Sequence, residues 1–178
     1  MKPHPALSLA VLLVSIAGNL AAAETDAQRI ARYLDYRKLP RLTTERIDIE
    51  GPMRTMCLDP RTLHGPHLVS GIHLYATKAV IDTRATSASP RYPVGALLVK
   101  EKFDTREAAS PSIITVMEKV ADAGSVDDWR FTMVRIADRS IVKDGFRVSC
   151  ASCHERYKRF DYVSHVTDAL LAELTKKR

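Results

Sequence analysis

The sequence has one long apolar run, and that run lies at the N-terminus. After residue 23 no segment approaches the roughly 20 apolar residues that a membrane-spanning helix needs, so we expect no membrane span in the rest of the chain. There is no internal repeat and no low-complexity segment, which excludes a repeat architecture. The formal net charge is +6, but basic and acidic residues are interspersed, so nothing indicates a nucleic-acid partner.

The N-terminal run is typical of a secretory signal peptide. Met1 and Lys2 precede the apolar stretch ALSLAVLLVSIAGNLAAA, and the polar sequence ETDAQR follows it. A short apolar core that ends in small residues, here the alanines at 21–23, is the pattern that a signal peptidase cleaves. We therefore predict that residues 1–23 are removed. Residues 24–178 would then form a single exported domain, most simply periplasmic, that can bury a core without extra cross-links.

Cysteine is scarce, and its number is odd. The chain has three cysteines, at positions 57, 150 and 153, whereas exported chains usually carry an even number joined in disulfides. A disulfide between Cys150 and Cys153, with Cys57 as a buried thiol in a strand, is one interpretation. A thioredoxin-like redox pair lacks the strand and helix that should precede it, and zinc would need two further ligands at fixed spacing.

The sequence CASCH at residues 150–154 favours a different interpretation. C-x-x-C-H is the attachment motif of a c-type haem, in which two thiols add to the vinyl groups and the adjacent imidazole reaches the iron. The histidine follows the second cysteine directly because the two thioether bonds fix the backbone beneath one edge of the macrocycle. We predict one covalent haem c bound by Cys150 and Cys153, with His154 as the axial iron ligand.

Hydrophobic periodicity predicts an α+β fold, mainly an antiparallel β-sheet flanked by an N-terminal and a C-terminal helix. Residues 25–37 have apolar side chains at helical spacing and stop before Pro40. Residues 161–178 predict a closing helix with a basic end, and its apolar face comprises Tyr162, Val166, Ala169, Leu170 and Leu174. The intervening β-like runs are RIDI, MRTMCL, GIHLYA, GALLVKEKF, SIITVMEKV and WRFTMVRI. Residues 83–90, TRATSASP, are expected to form a mobile loop.

Several residues between the helices are candidates for the walls of a haem pocket. A porphyrin needs broad apolar walls, so Trp129 and Phe131 are expected in the core beside the haem. Met117 and Met133 lie in apolar runs and are expected in the core, although each is an alternative sixth iron ligand. A further residue just ahead of the motif, Asp144, is a candidate proton relay at the pocket rim, together with Arg147, but an exposed loop explains both equally well.

Five segments resemble cytochrome P-460 and its relatives, which include the beta-sheet cytochromes c-prime. They are YPVGALLVKEKF at 92–103, ITVMEKV at 114–120, DDWRF at 127–131, CASCH at 150–154 and DYV at 161–163. The most specific element is G-x-x-x-V-K-E followed about fifty residues later by C-x-x-C-H. The resemblance runs from about residue 54 to the end. It implies a β-sheet c-type cytochrome, often a homodimer, with a five-coordinate iron.

The resemblance also implies a role for Lys100. In cytochrome P-460 a lysine amine is bonded to a meso carbon of the porphyrin, and the position within G-x-x-x-V-K-E makes that lysine Lys100. The beta-sheet cytochromes c-prime lack this bond. An apolar pocket would favour the neutral, nucleophilic amine, and we expect Lys100 to leave the sheet at its rim, near the haem edge. The alternative is a solvated lysine at a strand end, beside Glu101 and Lys102.

Two alignments compete for the distal side of the haem. RTMCLDP at 54–60 resembles the segment of cytochrome P-460 that places an arginine over the iron, which implies that Arg54 is a catalytic hydrogen-bond donor. IHLYATKA at 72–79 matches the same family strand, with a spacing to Lys100 closer to the family's. This second alignment leaves Ile72 or His73 in place of the arginine. A histidine on a strand is more often satisfied or exposed than a second iron ligand.

Three functions follow from these patterns. The first is an oxidoreductase that oxidises hydroxylamine or a related nitrogen oxide at an open iron site and passes electrons to a partner cytochrome. The second is a protein that captures nitric oxide at the same haem without turnover. The third is an electron carrier with a sixth protein ligand on the iron. The nitrogen chemistry is implied by the resemblance, whereas the exported covalent haem is predicted from the residues themselves.

Overall fold

The described residues, 24–48, 71–105, 107–144 and 150–176 of a computed structural model, form an α+β fold with one antiparallel sheet. The helices are α1 (Asp26–Leu34), α2 (Lys78–Thr86), α3 (Ser152–His154) and α4 (His165–Lys176), with 3₁₀ turns at Asp35–Lys38, Val126–Asp128 and Glu155–Phe160. The strands are β1 (Ile47–Asp48), β2 (Gly71–Ala76), β3 (Leu97–Phe103), β4 (Ile113–Lys119), β5 (Trp129–Arg135) and β6 (Ser140–Asp144). The predicted fold class is thus confirmed for the sheet and for the helices at both ends.

The sheet is an antiparallel meander in which each strand pairs with the next along the chain. Side chains alternate between the two faces of a strand, so the register decides which residues share a face. The register pairs Leu74 with Lys100, Lys100 with Thr115, and Thr115 with Met133. We call the side of the sheet that carries Lys100 the front face. Its next row consists of Ala76, Leu98, Met117 and Phe131.

Helix α1 packs on the opposite side of the sheet, the back face. Its N-terminus is closed by a capping box, in which the Thr25 hydroxyl accepts from the Gln28 amide and the Gln28 side chain accepts from the Thr25 amide. Tyr33 and, in the following 3₁₀ turn, Tyr36 are buried in the apolar core of the back face. The helix predicted at residues 25–37 is therefore confirmed, with its last turn tightened to 3₁₀ geometry.

Two glutamates of the sheet hold this N-terminal segment. The Tyr33 hydroxyl donates to Glu118 Oε2 at 2.6 Å, and the Tyr36 hydroxyl donates to Glu101. Arg37 Nε lies 2.9 Å from Glu101 Oε1. A buried carboxylate is costly unless it is hydrogen-bonded and paired, so these contacts both compensate the glutamates and fix α1 on the back face.

Helices α2 and α4 pack against each other and, with the front face, enclose the larger core. Val80 and Ile81 of α2 and Leu171 of α4 are buried in it. Arg84 Nη2 donates to Asp168 Oδ2 at 3.2 Å, which joins the two helices by an ion pair. Helices α2 and α4 therefore cover one part of the front face. Residues 150–163 border the rest of it.

The structure corrects three sequence-based predictions. Residues 83–86 belong to α2, so the mobile loop expected at 83–90 is wrong for its first half. The apolar face of the closing helix is wrong at two positions, because Tyr162 precedes α4 in a left-handed turn and Ala169 is exposed. Leu171, which lies outside that predicted face, is the fully buried residue.

Several predictions concern residues outside the described ranges. These are the signal peptide at 1–23, the strand MRTMCL with Arg54 and Cys57, and Arg147, and all of them stay predictions. Asp144 is described as the last residue of β6, and its proposed proton relay also stays a prediction. None of the helices within the described ranges is long and apolar enough to cross a membrane.

Candidate functional site

The C-x-x-C-H segment forms a helical turn that lies against the front face. Residues three and four positions apart lie on the same side of such a turn, so Cys150, Cys153 and His154 share one side. Cys150 and Cys153 are both half-buried. Cys150 and the buried Ala151 pack against the core that includes Phe131. The motif residues are thus brought together on the apolar side of the sheet.

A backbone carbonyl fixes the tautomer of His154. Its Nδ1 lies 2.6 Å from the carbonyl oxygen of Tyr162. A carbonyl only accepts hydrogen bonds, so Nδ1 carries the proton and the neutral ring keeps a lone pair on Nε2. Burial, with a smaller contribution from the charge of Lys100, lowers the pKa of His154 to about 4 in spite of the hydrogen bond to the Tyr162 carbonyl. The ring is therefore neutral near pH 7, the form that binds a metal.

The turn that supplies this carbonyl has unusual backbone geometry. Asp161 and Tyr162 are consecutive non-glycine residues with φ values of 50° and 69°, a left-handed conformation that residues with a Cβ rarely adopt. Such strain persists only where surrounding contacts hold it. Here both carboxylate oxygens of Asp161 lie 2.7 Å from Lys119 Nζ, and the Tyr162 hydroxyl donates to the Gly124 carbonyl at 2.9 Å.

Lys100 lies in the middle of β3 rather than at the rim where it was expected. The strand continues to Phe103, and the neighbouring Glu101 and Lys102 are 2% and 1% exposed. Lys100 itself is half-buried on the front face. Lys100 lies on the same face as Phe131, whose ring packs against that of His154. The solvated lysine at a strand end does not describe this position.

The two alternatives to a distal arginine lie on opposite faces. His73 pairs with Glu101 in the register and therefore lies on the back face. Its Nδ1 is 2.9 Å from Thr43 Oγ1, so it is a satisfied strand histidine, away from His154. Ile72 pairs with Lys102 and lies on the front face. Of the two, only Ile72 shares a face with Lys100.

The expected apolar wall is confirmed as part of the core. Trp129 and Phe131 are buried on the front face, and the Phe131 ring centroid lies 5.0 Å from that of His154. Met117 and Met133 lie on the same face. The indole Nε1 of Trp129 is buried and has no hydrogen-bond partner in the described part of the chain. Because buried donors are nearly always satisfied, this group fits an acceptor from a bound molecule, such as a haem propionate.

The donor set at this turn fits a haem. Among residues 24–48, 71–105, 107–144 and 150–176, no three His, Cys, Asp or Glu side chains group to hold a metal ion. A porphyrin supplies four nitrogen ligands of its own, so the protein needs to provide only one axial group. His154, with its Nε2 lone pair, is such a group, and the two half-buried thiols beside it match the attachment chemistry.

The contribution of Lys119 and Asp161 does not follow from sequence patterns. Lys119 ends the apolar strand β4, where a charged side chain is unusual, but Asp161 follows the charged segment ERYKRF, so no local pattern marks the two as partners. The structure joins them as a buried ion pair directly behind the turn that holds His154.

The fold and site define an α+β protein with a six-stranded antiparallel meander and a C-x-x-C-H turn on one face. Neither the protein-family models nor the curated proteins compared with the chain give a match. The likeness to cytochrome P-460 therefore remains a prediction from the sequence motifs.

Proposed function

We propose that this protein is an exported mono-haem c-type cytochrome that oxidises hydroxylamine or a related nitrogen compound at a five-coordinate haem. Cys150 and Cys153 would hold the haem through thioethers, and His154 would bind the iron. The observation that carries the proposal is the His154 geometry, in which Nδ1 is bonded to the Tyr162 carbonyl and Nε2 keeps its lone pair. This is the usual arrangement of a metal-binding histidine.

The chain's own residues divide the remaining tasks. When bound, the haem supplies an electron acceptor and an open coordination position for the substrate nitrogen. Trp129 and Phe131 are buried on the front face, with Phe131 beside His154, and would form an apolar wall of the haem pocket. Lys100 lies on the same face as that wall, which suits the proposed contact, or covalent bond, with the porphyrin edge. Arg54 remains the proposed distal hydrogen-bond donor, and a partner cytochrome would take up the electrons.

A second candidate is capture of nitric oxide without turnover. It is favoured by the apolar residues that the front face offers beside Lys100, which include Ile72 and Leu74. Apolar crowding over an open iron site admits a small diatomic ligand and disfavours larger polar ones. An electron carrier would instead need a sixth ligand, for which Met117 and Met133 are the front-face candidates.

Turnover separates these candidates. The ferric protein, loaded with haem in a cytochrome c maturation strain, is mixed with hydroxylamine and an electron acceptor, with free haem at equal concentration as the control. Turnover well above free haem supports the enzyme. No excess turnover, combined with tight nitric oxide binding, would replace it with the capture function, and failure to bind nitric oxide or carbon monoxide would indicate the carrier.

A further inference from the structure

We propose that Lys119 and Asp161 form a positioning pair that sets the hydrogen bond on the axial histidine and, through it, the reduction potential of the haem. The inference rests on the proposed function, because it assigns a role toward the iron that His154 would bind. Neither residue touches the iron ligand itself. Both would act through the backbone carbonyl of Tyr162.

The pair is buried and closely matched. Lys119 Nζ lies 2.7 Å from both carboxylate oxygens of Asp161, and the two side chains are 0% and 2% exposed. The ammonium group also lies 5.2 Å from the ring centroid of Trp129, a cation–π arrangement. Asp161 is the nearest carboxylate to the ammonium group, since Asp122 Oδ1 and Asp128 Oδ2 lie 3.7 and 3.8 Å from it. In so dry a site the Asp161 carboxylate depends on Lys119, because an unpaired buried charge is strongly disfavoured.

The pair acts where the chain turns back toward the histidine. Asp161 and Tyr162 have left-handed φ values, and the Tyr162 carbonyl then reaches His154 Nδ1 at 2.6 Å. Asp161 Oδ2 also accepts a hydrogen bond from the Tyr92 amide at 2.9 Å. The carboxylate is thus held from two sides, and its own backbone cannot relax without breaking one of these contacts.

A second connection ties the same turn to the same lysine. The Tyr162 hydroxyl donates to the Gly124 carbonyl at 2.9 Å, and the Gly124 amide donates to Asp128 Oδ2 at 2.7 Å. Asp128 Oδ2 in turn lies 3.8 Å from Lys119 Nζ. The contacts therefore form a closed ring around the left-handed turn, with Lys119 as the member that touches both acidic residues.

The consequence for the iron follows from ligand basicity. A strong hydrogen bond from Nδ1 to a carbonyl increases electron donation by the imidazole, which stabilises ferric iron. If the turn relaxes, the hydrogen bond between His154 Nδ1 and the Tyr162 carbonyl lengthens, and the ferrous state becomes more stable relative to the ferric state. Asp161→Asn is the sharp test, because asparagine has the same size and tolerates the left-handed conformation as well as aspartate does. The substitution removes the charge and one of the two acceptor oxygens that face Lys119, and the remaining oxygen can still accept from the Tyr92 backbone N–H.

We expect the Asp161→Asn holoprotein to show an iron–histidine stretching band at lower frequency by resonance Raman spectroscopy. Its ferric–ferrous equilibrium should move toward the ferrous state by up to about tenfold, which is about 59 mV for a one-electron couple. Asp168→Asn is the matched control. This variant breaks the largely buried ion pair with Arg84, in which the two side chains are 17% and 9% exposed. That pair joins α2 to α4 and is separate from the left-handed turn at Asp161 and Tyr162. The control should lower thermal stability and leave both readouts unchanged.

The outcomes separate the two proposals. If Asp161→Asn binds haem and keeps the wild-type band and potential, the positioning role is wrong and the proposed function stands. If the wild-type protein attaches no covalent haem, the proposed function fails, and this inference fails with it. Should Asp161→Asn not fold, the double variant Lys119→Met with Asp161→Asn is measured instead, with the same expected shifts and the same refuting result. It removes the charges of the pair, while Asp128 keeps its hydrogen bonds from the backbone N–H groups of Ala123, Gly124 and Ser125.

Discussion

Replacing Tyr33 by phenylalanine tests how the N-terminal helix is held to the sheet. The Tyr33 ring is fully buried, and its hydroxyl donates to Glu118 Oε2 at 2.6 Å. Phenylalanine keeps the ring and its apolar contacts and removes the hydroxyl, whose interactions with Thr132 and Arg130 are lost together with the bond to Glu118. Glu118 retains two cationic partners, Arg32 at 2.9 Å and Arg130 at 3.4 Å. The carboxylate therefore loses one hydrogen bond but stays paired with positive charge.

We expect Tyr33→Phe to lower the free energy of unfolding by an amount at the low end of the range for hydrogen bonds to charged groups. Such bonds contribute about 1.5–3 kcal/mol to stability, and because Glu118 keeps Arg32 and Arg130 we expect about 1.5 kcal/mol for Tyr33→Phe. For a chain of this size that corresponds to a fall in Tm of roughly 3–6 °C. Thermal unfolding followed by far-ultraviolet circular dichroism at pH 7 measures it directly.

The same residue predicts a pH dependence. Burial, and then the Glu118 carboxylate, raise the pKa of Tyr33 to about 12 from the ordinary value of 10.0. A raised folded-state pKa gives stability that is fully present below pH 10 and is lost as the pH rises toward 12. The stability gap between wild type and Tyr33→Phe should therefore close between pH 10 and about 12.

Tyr92→Phe is the matched control. Tyr92 is also fully buried, but its hydroxyl has no hydrogen-bond partner among the described residues. Removing a buried hydroxyl that makes no bond should change stability by less than about 0.5 kcal/mol. Two results would refute this reasoning: a Tyr33→Phe variant with the wild-type Tm, or a Tyr92→Phe variant whose free energy of unfolding falls as much as that of Tyr33→Phe. In either case the hydrogen bond to Glu118 does not hold α1.

Three further variants test the core and the site. Leu171→Ala should lower the free energy of unfolding by about 2–5 kcal/mol because the side chain is fully buried. Ala169→Ser, on the exposed side of α4, should have the wild-type Tm. Equal losses of stability in the two variants would contradict the corrected helix face. The double variant Cys150→Ala with Cys153→Ala should retain no haem on a denaturing gel stained for haem, and retention would refute attachment at these thiols. His154→Ala should keep covalent haem but lose the iron–histidine stretching band, and an unchanged band would assign the axial ligand elsewhere.

Strands β2 to β5 were predictable because they are apolar runs separated by turn residues, whereas β6 (Ser140–Asp144) was missed. GIHLYA coincides with β2, and the apolar runs of β3, β4 and β5 match within about two residues. Helix α2 is different. Its sequence, KAVIDTRAT, has two adjacent buried residues, Val80 and Ile81, and no apolar stripe, so its helical form depends on packing against α4, which no local pattern reports.

Of the candidate site, only the residues of the C-x-x-C-H motif could be predicted from the sequence. CASCH specifies the thiols and the imidazole, but the carbonyl that orients His154 depends on two left-handed residues whose sequence shows no glycine. The ion pair behind them joins Lys119 and Asp161, 42 positions apart. The choice between Ile72 and His73 needed the register with β3, because a shift of one residue exchanges the faces of a strand.

The visible spectrum of the reduced protein, expressed with a cytochrome c maturation system and checked for haem that survives denaturation, tests the central claim most directly. We expect covalent haem c with a high-spin, five-coordinate spectrum. A Soret band far to the red that returns to an ordinary position in Lys100→Ala would show the bond between Lys100 and the porphyrin. An ordinary high-spin spectrum would favour nitric oxide capture instead. Polypeptide that carries no haem after denaturation would contradict the claim that Cys150, Cys153 and His154 form a haem site.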